Sequence, residues 1–151
     1  MDVVTLIRDH EALIVDEATE QVLEAHLRHY GADQAQTHAR LRSLLDLLLA
    51  SIERRDVTDL VAYARDLARD RFDAGYDLSE VQSAFNALEE VLWRRILADV
   101  PPAGMADALG SVTTALGAGK DALARAYVTL AGEAHAPSID LSRLFEGTDG
   151  V

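Results

Sequence analysis

The sequence predicts an all-α fold, a single domain that forms a bundle of five to seven helices. Apolar residues recur at intervals of three and four along almost the whole chain, and the alternation that is typical of strands is missing. Short breaks that contain Gly, Asp or Pro divide the chain into five helical regions. The chain has 151 residues, of which 49% are hydrophobic, and this is enough for one domain with one core.

The first three helical regions are predicted at about 2–30, 33–54 and 57–74. The first is apolar on more than one face, so it is either one long helix or two helices with Asp16 as the N-cap of the second. The second region is rich in Leu, and we expect it to be buried on most of its circumference. The third places its apolar residues on one face and its aspartates on the other, which is typical of a surface helix.

The fourth region begins at a capping box. Asp77 is followed three residues later by Glu80, so each side chain can bind a free backbone N–H group of the first turn. A core stripe at helical spacing follows, formed by Val81, Phe85, Leu88, Leu92 and Ile96.

The fifth region, at about 103–135, carries three heptads of an apolar seam. Spacings that alternate between four and three predict a partner helix at a shallow crossing angle, and small residues in the seam allow a close approach. The partner helix belongs either to a second copy of the chain, in a homodimer, or to the chain itself. The residues predicted for the dimer interface are Leu109, Val112, Leu116, Gly119, Leu123 and Tyr127.

Trp93 lies at the edge of the apolar stripe of the fourth region, and two interpretations stay open. It is a partly buried residue at the boundary of the core, or it is an anchor in a dimer interface or the wall of a small-molecule pocket. The alternative function is a sensor module that binds a small molecule, an apolar ligand or haem, and for it we expect an apolar pocket between the fourth and fifth helices.

The composition disfavours several classes of partner. The formal net charge is −12, whereas nucleic acids and anionic membranes are bound by clusters of Lys and Arg. Without Cys there is no disulfide and no thiolate metal site. The N-terminus has no basic segment of the signal-peptide type, and no run approaches the ~18 apolar residues of a membrane span. We therefore expect a cytoplasmic protein that binds neither membrane nor nucleic acid.

The sequence predicts no catalytic residue, no metal site and no cofactor. His26 and His29 are spaced like metal ligands but lack a third ligand nearby, and residues 39–134 contain no His to bind a globin haem. There is no Gly-rich phosphate loop and no nucleophile elbow. An enzyme would need a buried carboxylate with a strongly raised pKa in a cleft.

The sequence divides into a helical domain and a C-terminal tail. Residues 1–136 form the predicted helical domain, and residues 137–151 are a tail with one short amphipathic turn. The tail is expected either to pack on the domain or to stay disordered, or else to dock on another protein.

The segment DRFDAGYDLSEV at residues 70–81 resembles the centre of the RsbRD N-terminal domain family. In that family an R-x-x-x-G-aromatic segment enters a helix of the type x-E-V-x-x-x-F-x-x-L. Phe85, Leu88, Leu92 and Trp93 continue this pattern here, and the Leu-rich second helix agrees with it. The likeness covers roughly residues 5–130.

The resemblance implies a globin-like helical bundle without haem, usually dimeric and without catalytic residues. Such domains are the sensory halves of stressosome co-antagonists of the RsbR type, and others precede the output domains of transcription regulators. The implied partner is a stressosome or regulator protein. Members typically continue into a STAS domain or a DNA-binding module, so we expect either that the output domain is absent or that this sequence is a fragment.

Overall fold

The computed structural model describes residues 1–25 and 33–135, and these residues form five helices and no strand. The all-α prediction is confirmed, with the helix count at the lower end of the predicted range. None of these helices is long and apolar enough to cross a membrane. The predicted tail at 137–151 lies outside the described residues. The helices are α1 (Val3–Ala25), α2 (Gln34–Arg54), α3 (Thr58–Asp73), α4 (Leu78–Asp99) and α5 (Pro102–His135).

The break in α1 lies at His10 and not at Asp16, where the sequence analysis placed it. His10 has non-helical backbone angles (φ −123°, ψ 19°), and its Nδ1 lies 3.0 Å from the carbonyl oxygen of Leu6. This carbonyl is the one that the backbone N–H of residue 10 binds in a regular helix, so the side chain competes with the backbone there. Asp16 lies inside the helix, and its carboxylate binds His38 on α2 at 3.1 Å.

Local signals set the starts of α2 and α4. Asp33 is the N-cap of α2 and accepts hydrogen bonds from the N–H groups of the next turn at 3.0 and 3.4 Å. At α4 the predicted capping box is present, with Glu80 Oε1 accepting from the backbone N–H of Asp77 at 3.2 Å. Gly75, with φ at 86°, makes the turn that ends α3.

The helices enclose one apolar core. α1 packs on α2 and α4, and α5 packs on α3 and α4. On α2 the buried residues share one face, while Leu47 and Leu49 beside this face are only partly buried. The largest fully buried side chains are Leu6, Ile7, Ile14, Leu41, Leu45, Leu48, Leu60, Phe85, Leu88, Leu92, Ile96 and Leu116.

Polar side chains join α1 to one side of α4. Arg95 Nη2 donates to Glu17 Oε1 at 2.7 Å, and Gln21 Nε2 donates to Glu90 Oε2 at 2.7 Å. Arg94 Nη2 also donates to the side-chain oxygen of Gln21 at 3.2 Å. Arg94 and Arg95 lie on α4 before its end at Asp99, and both contact α1.

The closest approach of α5 to its neighbours is at Gly119. A Cβ atom at this position would lie 2.9 Å from Cε1 of Phe85 and 3.5 Å from Cγ of Leu60. Phe85 is fully buried, so its ring has no free space to move into. By contrast, a Cβ atom at Gly110 would meet nothing within 4 Å. With Gly at position 119, α5 therefore lies closer to α4 than any other amino acid at this position would allow.

We predict that Gly119→Ala lowers the free energy of unfolding by about 1–2 kcal/mol, because overpacking outweighs the higher helix propensity of Ala. Gly110→Ala is the matched control and should raise it by up to about 1 kcal/mol. Urea unfolding followed by circular dichroism measures both changes. Equal stabilisation by the two substitutions would contradict the close contact at Gly119.

Candidate functional site

The seam of α5 packs against the helices of its own chain. Val112, Leu116 and Leu123 are fully buried, and Tyr127 is 7% exposed. Gly119 faces Phe85 and Leu60, and Leu109 is partly buried beside the core. A second copy cannot reach these residues unless the core opens. The structure therefore places Leu109, Val112, Leu116, Gly119, Leu123 and Tyr127 in packing within the chain, the alternative to a dimer interface in the sequence analysis.

Trp93 lies at the boundary between core and solvent, on the side of α4 next to α5. Its side chain is 39% exposed, and Nε1–H donates to Thr113 Oγ1 on α5 at 3.2 Å. Leu97, one turn further along α4, is 54% exposed. These two residues form an exposed apolar pair, which we call the α4 face.

Both signs of charge flank the α4 face. Glu90 and Arg94 lie on the same helix, and Arg94 Nη1 is 3.8 Å from Glu90 Oε1. Both side chains are more than half exposed, so the pair adds little to the stability of the chain. The surface around Trp93 and Leu97 is thus locally neutral, although the chain as a whole carries a net charge of −12.

The residues that carry the family pattern build the junction between α3 and α4. Arg71 binds Asp70 Oδ2 through Nε and Nη2 at 3.0 and 2.6 Å, and its guanidinium lies over the ring of Tyr76 at 4.8 Å from the centroid. The Arg71 side chain is only 12% exposed. Gly75 lies between Arg71 and Tyr76 in the chain and has the positive φ of this turn. The pattern is therefore a structural turn, held by an ion pair and a cation–π contact.

Tyr127 joins α5 to this junction. Its hydroxyl donates to the carbonyl oxygen of Tyr76 at 3.0 Å, and its ring meets the edge of Phe72 at a centroid distance of 5.6 Å. Burial raises the pKa of Tyr127 to about 12, although Arg71 nearby partly offsets the shift. Tyr127 was predicted for the dimer interface, and its contacts with the α3–α4 junction were not predicted from the sequence.

The described residues contain no group of three or more His, Asp or Glu side chains that could hold a metal ion. His38 binds Asp16, and His10 contacts its own helix. The predicted pair His26 and His29 lies outside the described residues.

Among the described residues, one carboxylate has a pKa above its ordinary value. The side-chain hydrogen bond with Asp46 and partial burial raise the pKa of Glu11, while Arg42, with Nε at 3.3 Å from Glu11 Oε1, opposes the shift. These side chains lie on the surface between α1 and α2, where Asp46 is exposed. This solvated cluster is unlike the enclosed acid that hydrolytic chemistry requires.

A groove of about 320 Å³ runs between α3 and α5. The pocket predicted from the sequence was expected elsewhere, between α4 and α5. In the structure, Phe85 meets Gly119 there, and Lys120 Nζ binds Glu89 Oε2 at 3.3 Å. The groove has an apolar part, formed by Ala122, Ala126 and Leu130, and a basic part, formed by Arg65, Arg69 and Arg125. No local pattern in the sequence predicts this groove, because it depends on how two helices distant in the chain are placed side by side.

We predict that the free energy of unfolding falls between pH 10 and pH 12 and that Tyr127→Phe reduces this fall by about 1–2 kcal/mol. The folded state raises the pKa of Tyr127 above its usual value of 10, so it favours the neutral phenol. This contribution is complete below pH 10 and is lost as the pH rises towards 12. Urea unfolding at several pH values measures the fall.

The Tyr63 phenol, whose pKa is also raised by burial, contributes equally in the Tyr127→Phe variant and in the unchanged chain. Parallel pH profiles for these two proteins would contradict the assignment to Tyr127.

Comparison with known proteins gives one match. The family model of the RsbT co-antagonist protein rsbRD N-terminal domain matches residues 11–136. No curated protein and no solved structure matches the chain. The matched range contains the α3–α4 junction and all of α2, α3, α4 and α5. The resemblance of residues 70–81 is thus confirmed, and the chain belongs to the RsbT co-antagonist rsbRD N-terminal domain family.

Proposed function

We propose that this chain is a non-catalytic sensory domain of stress-response or transcription signalling, that it acts through protein–protein contacts as a homodimer, and that it works in the cytoplasm with a stressosome or regulator protein. Family membership indicates a stressosome-related regulatory domain. The chemistry of the described residues supports a role without catalysis, because the only raised carboxylate pKa belongs to a solvated surface cluster.

The proposal of a homodimer rests on the α4 face. Trp93 and Leu97 are two of the few large apolar side chains exposed on the described surface, and they lie one turn apart. Trp is enriched at the centres of protein interfaces, because it buries a large apolar area and keeps one polar atom for a hydrogen bond. In this chain that hydrogen bond is already made to Thr113, so the ring is held in place before any partner arrives.

The charges around the α4 face favour a second copy as the partner. In a two-fold dimer the same patch meets itself, so each charged residue must find its opposite on the partner. Glu90 and Arg94 provide both signs one turn apart, and two antiparallel copies of α4 bring each beside its complement. A net charge of −12 opposes self-association, and the opposite charges of Glu90 and Arg94 beside the α4 face reduce this repulsion locally.

We predict that the chain is a dimer at about 50 µM, with twice the chain mass of 16.4 kDa by light scattering, and that Leu97→Glu makes it a monomer. The variant buries an unpaired carboxylate in an apolar contact, and this costs several kcal/mol. Trp93 is the one Trp of the sequence, so its fluorescence should shift to longer wavelength in the Leu97→Glu variant.

Val128→Glu is the matched control. Val128 is 71% exposed on α5, away from the α4 face, and this substitution should leave the dimer intact. Circular dichroism establishes that both variants keep the helical fold. A monomeric unchanged chain at 50 µM, or equal dissociation by the two substitutions, would contradict the proposed interface.

A further inference from the structure

The groove between α3 and α5 carries an excess of positive charge, because three arginines and one glutamate line it. Arg65 and Arg69 are exposed and lie one turn apart on α3, so their guanidinium groups repel each other at a cost of about 0.2–0.5 kcal/mol. Neither forms an ion pair with any described residue. The chain has 26 acidic residues against 14 basic ones, so two unpaired arginines on one row are unexpected.

A third arginine faces these two from the other helix. Arg125 on α5 lines the same groove, and its Nε contacts Asp121 Oδ2 at 3.0 Å in a well-exposed pair. Such a pair is weak in water, so Arg125 can exchange Asp121 for another anion at little cost. Three guanidinium groups from two helices therefore lie along one groove, and each can bind a carboxylate or a phosphate through two N–H groups.

The other side of the groove is apolar. Ala122, Ala126 and Leu130 line it as a strip at helical spacing on α5, and the exposed parts of Ala126 and Leu130 can contact a short aliphatic group. The volume of about 320 Å³ is at the lower end of the range of small-molecule sites. A purely inorganic anion would use the arginines and leave this strip in contact with water.

We propose that the α3–α5 groove binds a small organic anion, whose carboxylate or phosphate group lies between Arg65, Arg69 and Arg125 and whose short apolar part lies on Ala122, Ala126 and Leu130. This inference rests on the proposed sensory function and names the class of ligand that is sensed.

Two further residues complete the groove. Thr129 lines it, and its hydroxyl donates to the carbonyl oxygen of Arg125 at 3.1 Å. Glu133 lines the groove too, as its only acidic residue among those described, and it repels an anion. The carboxylate of Glu133 thus favours ligands of low charge, and its removal should strengthen binding.

Calorimetric titration of the full chain with hexyl phosphate, hexanoate and hexan-1-ol tests the proposal. We expect saturable binding of at least one of the two anions and none of the alcohol, and the tighter anion identifies the head group. The double variant Arg65→Gln/Arg69→Gln should bind about tenfold more weakly or worse, because it loses two charge-assisted contacts. Glu133→Gln should bind more tightly, and the control Arg54→Gln, on an exposed arginine of α2, should bind as the unchanged chain does.

Other outcomes would overturn the inference. Equal binding of hexan-1-ol would show an apolar site that does not recognise charge, and equal binding of inorganic phosphate would show that the apolar strip plays no part. Binding that appears only after removal of residues 137–151 would show that the chain itself fills the groove. Absence of binding to every probe would remove the proposed ligand, and light scattering would still decide the dimer separately.

Discussion

The contact between Gly119 and the ring of Phe85 sets the position of α5, and the rest of the structure depends on that position. Because residue 119 has no side chain, α5 comes close enough to α4 for Leu116 and Leu123 to enter the core on either side. The same close approach aligns α5 with α3 through Leu60. With α5 fixed there, Tyr127 reaches the α3–α4 junction and Arg125 comes to lie across from the arginines of α3.

The family pattern belongs to this architecture and not to a reactive site. Arg71 and Gly75 turn the chain between two helices, and the backbone carbonyl of Tyr76 accepts the hydrogen bond from α5. Because this segment holds three helices together, a substitution at any one of its residues leaves a buried partner without its contact. This explains how a segment that forms a turn between helices can carry the pattern of the family.

The parts of the fold that depend on neighbouring residues could be predicted from the sequence. The capping box at Asp77 and the core stripe through Phe85 are set by contacts within one helix, and both are present. The partner of the α5 seam could not be predicted, because heptad spacing identifies an apolar face and carries no information on which chain covers it. The break at His10 arises from a competition between side chain and backbone that helix propensity does not describe.

The α5 helix is the longest of the five described helices. The helix has 34 residues without a break in its backbone, so it is a rod of about 50 Å. The tight contact at Gly119 lies near the middle of the helix, about 24 Å from its end at His135. Arg125 in the α3–α5 groove and Tyr127 at the α3–α4 junction both lie on the half of α5 beyond this contact, so one continuous helix joins the groove to the junction.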